Sequence, residues 1–264
     1  MIVLSRQMHM EFIDTHSHLY DEAFAGEEDL ALQRSVDAGV TRLIFPDIDT
    51  QSRAAMFAFA DRHPDKIFPC VGLHPTSVDA GWENEMLEVE KHLDRKIVAI
   101  GEIGIDCYWS KEFLEQQKEV FRIQLETASR LDLPVIIHSR ESTELIINIL
   151  KENKHLGLRG VFHAYSGSRE TYRELERLGD WYIGIGGVLT YKKASIAETV
   201  KDIPLERILL ETDSPYLTPV PFRGKRNESS YIPYIAEKLS ELTGRELQEI
   251  AAVTTQNAQN LFRI

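Results

Sequence analysis

Histidines and carboxylates punctuate this sequence at the ends of short apolar runs. His16 and His18 stand two apart in FIDTHSHL, His74 closes VGLHP, and Glu102 and Asp106 lie in AIGEIGID. His138 follows PVII, His163 follows GVF, and Glu211 and Asp213 end ILLETD. On an extended chain, residues two apart project from one side, so the His16 and His18 rings can share an ion. His138, His163 and Asp213 are polar groups met at the end of apolar runs, where an unpaired charge is costly to bury and a cation offsets the cost. Each has a plainer reading too: a strand histidine is often a satisfied core residue, and Glu102 could be held by backbone amides beside Gly101 and Gly104. Against that, four histidines and two carboxylates exceed what one tetrahedral ion requires, and a carboxylate such as Glu102 can bridge two. Mixed nitrogen and oxygen donors suit zinc, manganese or magnesium alike. Cys70 and Cys107 form no CxxC pair, which argues against a disulfide framework or a Cys-based zinc site, and nothing in the sequence supplies Cys107 with a general base, so it reads as a packing residue.

Positioning these groups falls to eight apolar runs that begin near residues 11, 42, 67, 96, 133, 159, 181 and 207. Polar-faced segments such as 29–38, 113–131 and 170–178 separate them. Strand and helix in alternation predict parallel strands with helical crossovers. An open doubly wound sheet and a closed barrel both satisfy that pattern. The count of eight and a length of 264 residues favour an α/β fold of (β/α)8 TIM-barrel type, one domain over 1–264. Gly184-Ile185-Gly186-Gly187 lacks the GxGxxG spacing and does not read as a dinucleotide turn. In a barrel the C-terminal strand ends carry the chemistry, which is where the histidines and acids fall.

The formal net charge is -12, which argues against a nonspecific coat for duplex DNA. One loop departs from it: FRGKRN places Arg223, Lys225 and Arg226 within four positions, after the last run. These cations are expected to meet substrate phosphate, Arg as a fork and Lys as a point charge; the plainer reading is a solvated turn paired with nearby acids. MIVLSRQMHMEF has no apolar core long enough for a signal peptide, and no run of 18 apolar residues occurs. The expectation is a reduced, cytoplasmic protein with no membrane segment and no obligatory protein partner, in which the Asn227-Glu228-Ser229 sequon is idle.

Taken in order, FIDTHSHL, VGLHP, AIGEIGID, LPVIIHSR, GVFHAYSG and LLETDSPYLTPVPFRGKRNE resemble the signature blocks of the TatD-type metal-dependent deoxyribonucleases of the amidohydrolase superfamily. The tail TTQNAQNLF is similar to that family's terminal helix. The resemblance implies two divalent cations (Mg, Mn or Zn) in a barrel mouth and hydrolysis of nucleic-acid phosphodiesters, typically trimming single-stranded DNA from a 3' end. By the same resemblance His16, His18, Glu102 and Asp213 would hold one ion, Glu102, His138 and His163 the other, and His74 would lie near substrate. Asp213 is the natural group to orient the attacking water and take its proton, with Glu102 keeping the ions together. Ser17 stands where the family often has cysteine, and His163-Ala164-Tyr165 where it has HCF; neither alters a ligand, and both bear on substrate preference. Two other readings remain: a hydrolase of small-molecule or aminoacyl-tRNA ester or amide bonds on the same scaffold, and a noncatalytic nucleic-acid-binding or metal-storage protein. Tyr165, Tyr191 and Tyr216 could stack a base.

Overall fold

Eight strands follow the predicted beat in a computed structural model that describes residues 10–264. The leader reading of the N-terminus falls, up to His9, outside the described residues. The strands are β1 (Phe12–Asp14), β2 (Val40–Phe45), β3 (Ile67–Pro69), β4 (Ile100–Asp106), β5 (Val135–Arg140), β6 (Arg159–Phe162), β7 (Asp180–Ile185) and β8 (Ile208–Leu210). Between them run α1 (Glu28–Asp37), α2 (Thr50–Arg62), α3 (Trp82–Glu90), α4 (Leu114–Leu131), α5 (Thr143–Glu152), α6 (Arg169–Glu176) and the short α7 (Ile196–Thr199). The chain closes with α8 (Ile232–Thr243) and α9 (Leu247–Phe262).

Strands pair in parallel with their chain neighbours, β1-β2-β3 in one ladder and β4-β5-β6-β7-β8 in the other. Two seams join the ladders. Gly101 N donates to Val71 O at 3.0 Å beside a Val71–Ile100 bridge, and Thr15 N donates to Leu210 O at 3.0 Å beside a Ser17–Ser214 bridge. The result is an α/β fold of (β/α)8 barrel type, with regular pairing interrupted at the seams. β4 starts at Ile100 rather than near 96: the preceding residues bond across the first seam, Val98 N to Pro69 O at 3.1 Å and Val71 N to Ala99 O at 3.3 Å, and the β4–β5 register shifts between Ile100 and Ile103.

Alternation along each strand sorts the apolar residues into two layers. Ile13, Ile44, Ile136, Val161, Tyr182 and Leu209 come from six strands and cluster together, which is possible only inside the ring. Leu261 and Phe262 of α9 complete that cluster. The alternate residues, among them Leu43, Ile105, Ile137, Phe162 and Leu210, pack in a larger cluster with helix residues such as Leu32, Met56, Val120, Phe121 and Leu125. Val120, Phe121, Gln124, Leu125 and Ala128 recur at helical spacing on α4, so one face of that helix is buried over the strands. α2 begins in a capping box, Asp49 Oδ1 accepting from Ser52 N at 3.0 Å.

Candidate metal centre

Inside-facing parity sets the site. His138, His163 and Glu211 lie two residues beyond the interior residues Ile136, Val161 and Leu209, so the pleat that packs the core aims them into the mouth. Gly104, at φ +145°, lets β4 and β5 close up: a Cβ there would stand 2.1 Å from His138 O. Gly184 does the same for Glu211, whose Oε2 lies 2.0 Å from where a Cβ would be, and a Cβ on Gly187 would stand 2.0 Å from Leu217 O, which accounts for the first and last glycines of the GIGG segment. His16 and His18 stand beyond the end of β1, yet the bridge from Ser17 to Ser214 keeps that stretch extended and both rings turn inward. Asp14, wholly buried, fixes the β1–β8 junction by accepting from Thr212 N at 3.0 Å, Thr212 Oγ1 at 2.5 Å and His16 N at 3.2 Å. Asp213 follows in a left-handed conformation, φ +57°, sparsely populated by residues other than glycine.

Glu102 occupies the centre with its two oxygens turned to different partners. Oε2 lies 3.1 Å from His16 Nε2 and 3.9 Å from His18 Nε2. Oε1 lies 2.9 Å from His138 Nδ1, 3.5 Å from His74 Nε2 and 3.9 Å from His163 Nε2. Asp213 Oδ1 stands 3.7 Å from the Nε2 of both His16 and His18 and 3.8 Å from that of His163. His163 stacks on His16 with ring centroids 3.5 Å apart. The atoms form three tight groups: His16, His18 and Asp213; His16, Glu102 and His163; His74, Glu102 and His138. All six residues that the resemblance assigns to ions therefore converge, with His163 nearer to His16 than to His138 in this arrangement.

Second partners decide which ring nitrogen each histidine presents. Tyr20 donates its hydroxyl proton to Pro46 O, so its oxygen accepts from His18 Nδ1 at 2.8 Å and His18 Nε2 keeps its lone pair for the mouth. Glu211 Oε1 lies 3.1 Å from His163 Nδ1, and Asp106 Oδ2 accepts from His138 Nε2 at 2.9 Å. His74 differs. Its Nδ1 accepts from Thr76 N at 3.2 Å, which puts the proton of the neutral ring on Nε2, facing His138 Nδ1 at 3.3 Å and Glu102 Oε1 at 3.5 Å. Glu211 and Asp106 were visible in the sequence only as strand-end acids; Tyr20 carried no signal there.

The electrostatics fit cations. Burial disfavours the charged form of His16 and His18, holding His18 down to about 4. Burial opposes charge at His138 too, but the hydrogen bonds to Asp106 and Glu102 raise it to about 9. At His163 burial is outweighed by Glu211, Asp213 and Glu102, which raise it to about 10. Protons on these two rings stand where positive metal charge would otherwise balance the carboxylates. His16 Nδ1 is buried with no hydrogen-bond partner, and the His16 and His18 Nε2 atoms face each other at 3.1 Å. Two nitrogens so placed fit a shared divalent cation.

The cations of the FRGKRN loop divide. Arg226 donates to Ala23 O at 2.6 Å, Glu27 Oε2 at 2.7 Å and Glu228 Oε1 at 3.1 Å, and lies over the Phe24 ring. Asn227 is buried, donating to Thr212 O and Tyr216 O. Arg223, over the Tyr191 ring at 4.2 Å, and Lys225 are exposed, and none of the three cations lines the cleft above the centre. Of the three tyrosines read as stacking groups, Tyr165 is buried, Tyr191 donates to Thr218 O, and Tyr216 lines that cleft.

A parallel barrel with such a mouth defines a metal-dependent hydrolase. The family model described as "TatD related DNase" matches residues 13–263. YabD of Bacillus subtilis (strain 168), described as an uncharacterized metal-dependent hydrolase, is 40% identical over 258 residues, 95% of this chain and 98% of that protein. Among solved structures, YjjV, a TatD homolog from Escherichia coli K12, superposes with a TM-score of 0.88 at 31% identity, covering 97% of this chain and 100% of that one. A TatD family hydrolase from Entamoeba histolytica gives 0.80 at 26% identity, covering 96% and 98%. The chain belongs to the TatD related DNase family and is a metal-dependent hydrolase.

Proposed function

We propose that this protein is a phosphodiesterase acting on DNA, a 3'-5' exodeoxyribonuclease with one catalytic barrel domain and two divalent ions. The observation that carries the reading is Glu102, whose two oxygens address two separate sets of imidazoles, the disposition a bridging carboxylate needs. His16, His18, Glu102 and Asp213 would hold one ion, and Glu102, His138 and His163 the other. Two ions so held, magnesium, manganese or zinc, would supply an activated water and neutralise phosphate oxygens.

The remaining work belongs to the protein's own groups. Asp213 lines the cleft at the open side of the centre, where it would orient the attacking water and take its proton. His74 Nε2–H donates into the same space, suited to a phosphate oxygen. Asp106 holds His138 in orientation by a hydrogen bond and Glu211 sets its negative charge 3.1 Å from His163 Nδ1, leaving Glu102 to keep the two ligand sets in register. Arg223 and Lys225 would meet the nucleic-acid backbone outside the mouth, and Arg226 fixes the loop that presents them.

The test strips metal, restores magnesium, manganese or zinc singly, and follows 3'-labelled and 5'-labelled single strands beside an ester and an amide. Immediate release of the 3' label and a descending ladder from the 5'-labelled strand are expected. Failure of every metal to restore cleavage of any nucleic acid would overturn the reading. Turnover of the ester or amide alone would replace it with a small-molecule hydrolase.

A further inference from the structure

The cleft over the metal centre, of about 710 Å³, is larger than the ion-binding groups need. Arg140 is the one lysine or arginine among its lining residues. It ends β5, two residues beyond His138, so it projects from the same side of the strand about 6.6 Å farther out of the barrel. Its guanidinium lies over the Tyr108 ring at 3.8 Å and the Trp109 ring at 5.3 Å. Among the described residues it makes no ion pair, whereas Arg34, Arg53 and Arg226 are each bonded to carboxylates. The face of the guanidinium is covered by aromatic rings and its N–H edges are unspent, the state in which arginine takes an anion through a fork.

The aromatics beneath it are held rather than loose. Asp106 Oδ1 accepts from Tyr108 N at 2.8 Å and Trp109 N at 3.0 Å, while Oδ2 of the same carboxylate holds His138. Cys107 N donates to Arg140 O at 2.9 Å. One buried acid thus ties the aromatic loop to a histidine of the metal centre. Trp109 is nevertheless 67% exposed and lines the cleft, as does Tyr216, 55% exposed. The two come from the loops after β4 and β8, four strands apart in a ring of eight, and so face each other across the mouth. Trp109 meets Arg140 and the edge of Tyr108 and still leaves most of its ring open, as Tyr216 does, so both offer flat faces to something planar that enters the cleft.

We propose that Arg140 binds the phosphate adjoining the scissile one in a single-stranded substrate, and that Trp109 stacks the base next to it. This rests on the phosphodiesterase reading and adds to it a specificity-determining residue. A strand is gripped one nucleotide away from the ions, so a substrate with no second anion at that place loses the contact. The exposed loop cations Arg223 and Lys225 lie outside the cleft and cannot substitute for it.

The test measures binding of a labelled, phosphorothioate-protected single strand to the metal-loaded protein by fluorescence anisotropy across a salt series, with metal content determined for every variant. Arg140→Gln is expected to weaken binding about 10- to 100-fold, the range for a lost charge-assisted contact. The slope of log Kd against log salt should fall by about 0.7, the value for one phosphate on a single strand. Arg140→Lys should keep the slope while recovering part of the affinity. Trp109→Ala should weaken binding about tenfold with the slope unchanged. Wild-type affinity in Arg140→Gln, an unaltered salt slope, or no strand binding by the wild-type protein would each overturn the proposal. Loss of metal together with affinity would reassign Arg140 to support of the fold. Arg140-dependent binding of a strand whose unprotected form is never cleaved would defeat the phosphodiesterase reading and leave this contact standing. Cleavage with unaffected binding in Arg140→Gln would do the reverse.

Discussion

One proton decides what His18 can do. With Tyr20 donating to Pro46 O, the phenolic oxygen has only lone pairs left for His18 Nδ1, and Nε2 is kept free. Tyr20→Phe removes that acceptor and lets the ring turn or exchange tautomers. Metal affinity should fall about 10- to 100-fold, the usual effect of removing such a partner, with the fold retained. Titration calorimetry of the metal-free variant checks this, and unchanged affinity would show that the ring is fixed by other means. The HxH spacing was plain in the sequence, as were the strand-end positions of Glu102, His138, His163 and Asp213. Tyr20 was not legible, because its meaning depends on Pro46, 26 positions away. Arg226 misled for the same reason: the sequence placed it beside Arg223 and Lys225, and only the fold brings Glu27, 199 positions away, against its guanidinium.

At the level of elements, the eight strands were legible from apolar runs, since a parallel barrel buries both faces of each strand. Strand ends were not: β1, β3 and β8 are three residues each, and hydrogen bonds beyond the ladders, Asp213 N to His16 O at 2.8 Å and His74 N to Ile48 O at 2.9 Å, fix the chain that carries His16, His74 and Asp213. Also hidden was the role of two glutamines on α4. Gln124, buried, accepts from Leu73 N at 2.7 Å and donates to Leu73 O at 3.2 Å, clasping the loop that carries His74. Gln117 accepts from Asp106 N at 2.9 Å. α4 therefore braces the β3 and β4 ends of the mouth. Gln124→Leu leaves both Leu73 groups unpaired in an apolar setting, and should cost about 1–3 kcal/mol of stability. Urea unfolding monitored by circular dichroism measures it, and a loss well below that range would mean the loop finds other partners.

For the molecule as a whole, the centre is a concentration of opposed charges inside a chain of net charge -12. No helix among the described residues is long and apolar enough to cross a membrane. A native state that binds divalent ions gains stability by mass action. Each ion at 100 times its dissociation constant should add about 2.7 kcal/mol, so chelation should lower the unfolding temperature and magnesium, manganese or zinc should raise it again. Thermal unfolding in a metal titration reads this directly, and a midpoint indifferent to all three ions would argue against a metal centre coupled to the fold.

The seam that completes the mouth has a further consequence in time. The Ser17 and Ser214 hydroxyls meet at 2.8 Å across 197 positions of chain, and they stand beside His16 and Asp213. On a ribosome adding about 5–20 residues per second, the first of the pair emerges roughly 10–40 s before the second. Throughout that interval the histidine pair has no β8 carboxylate opposite it. A metal centre that needs Asp213 as well as the histidine pair can therefore be completed only after β8 has emerged.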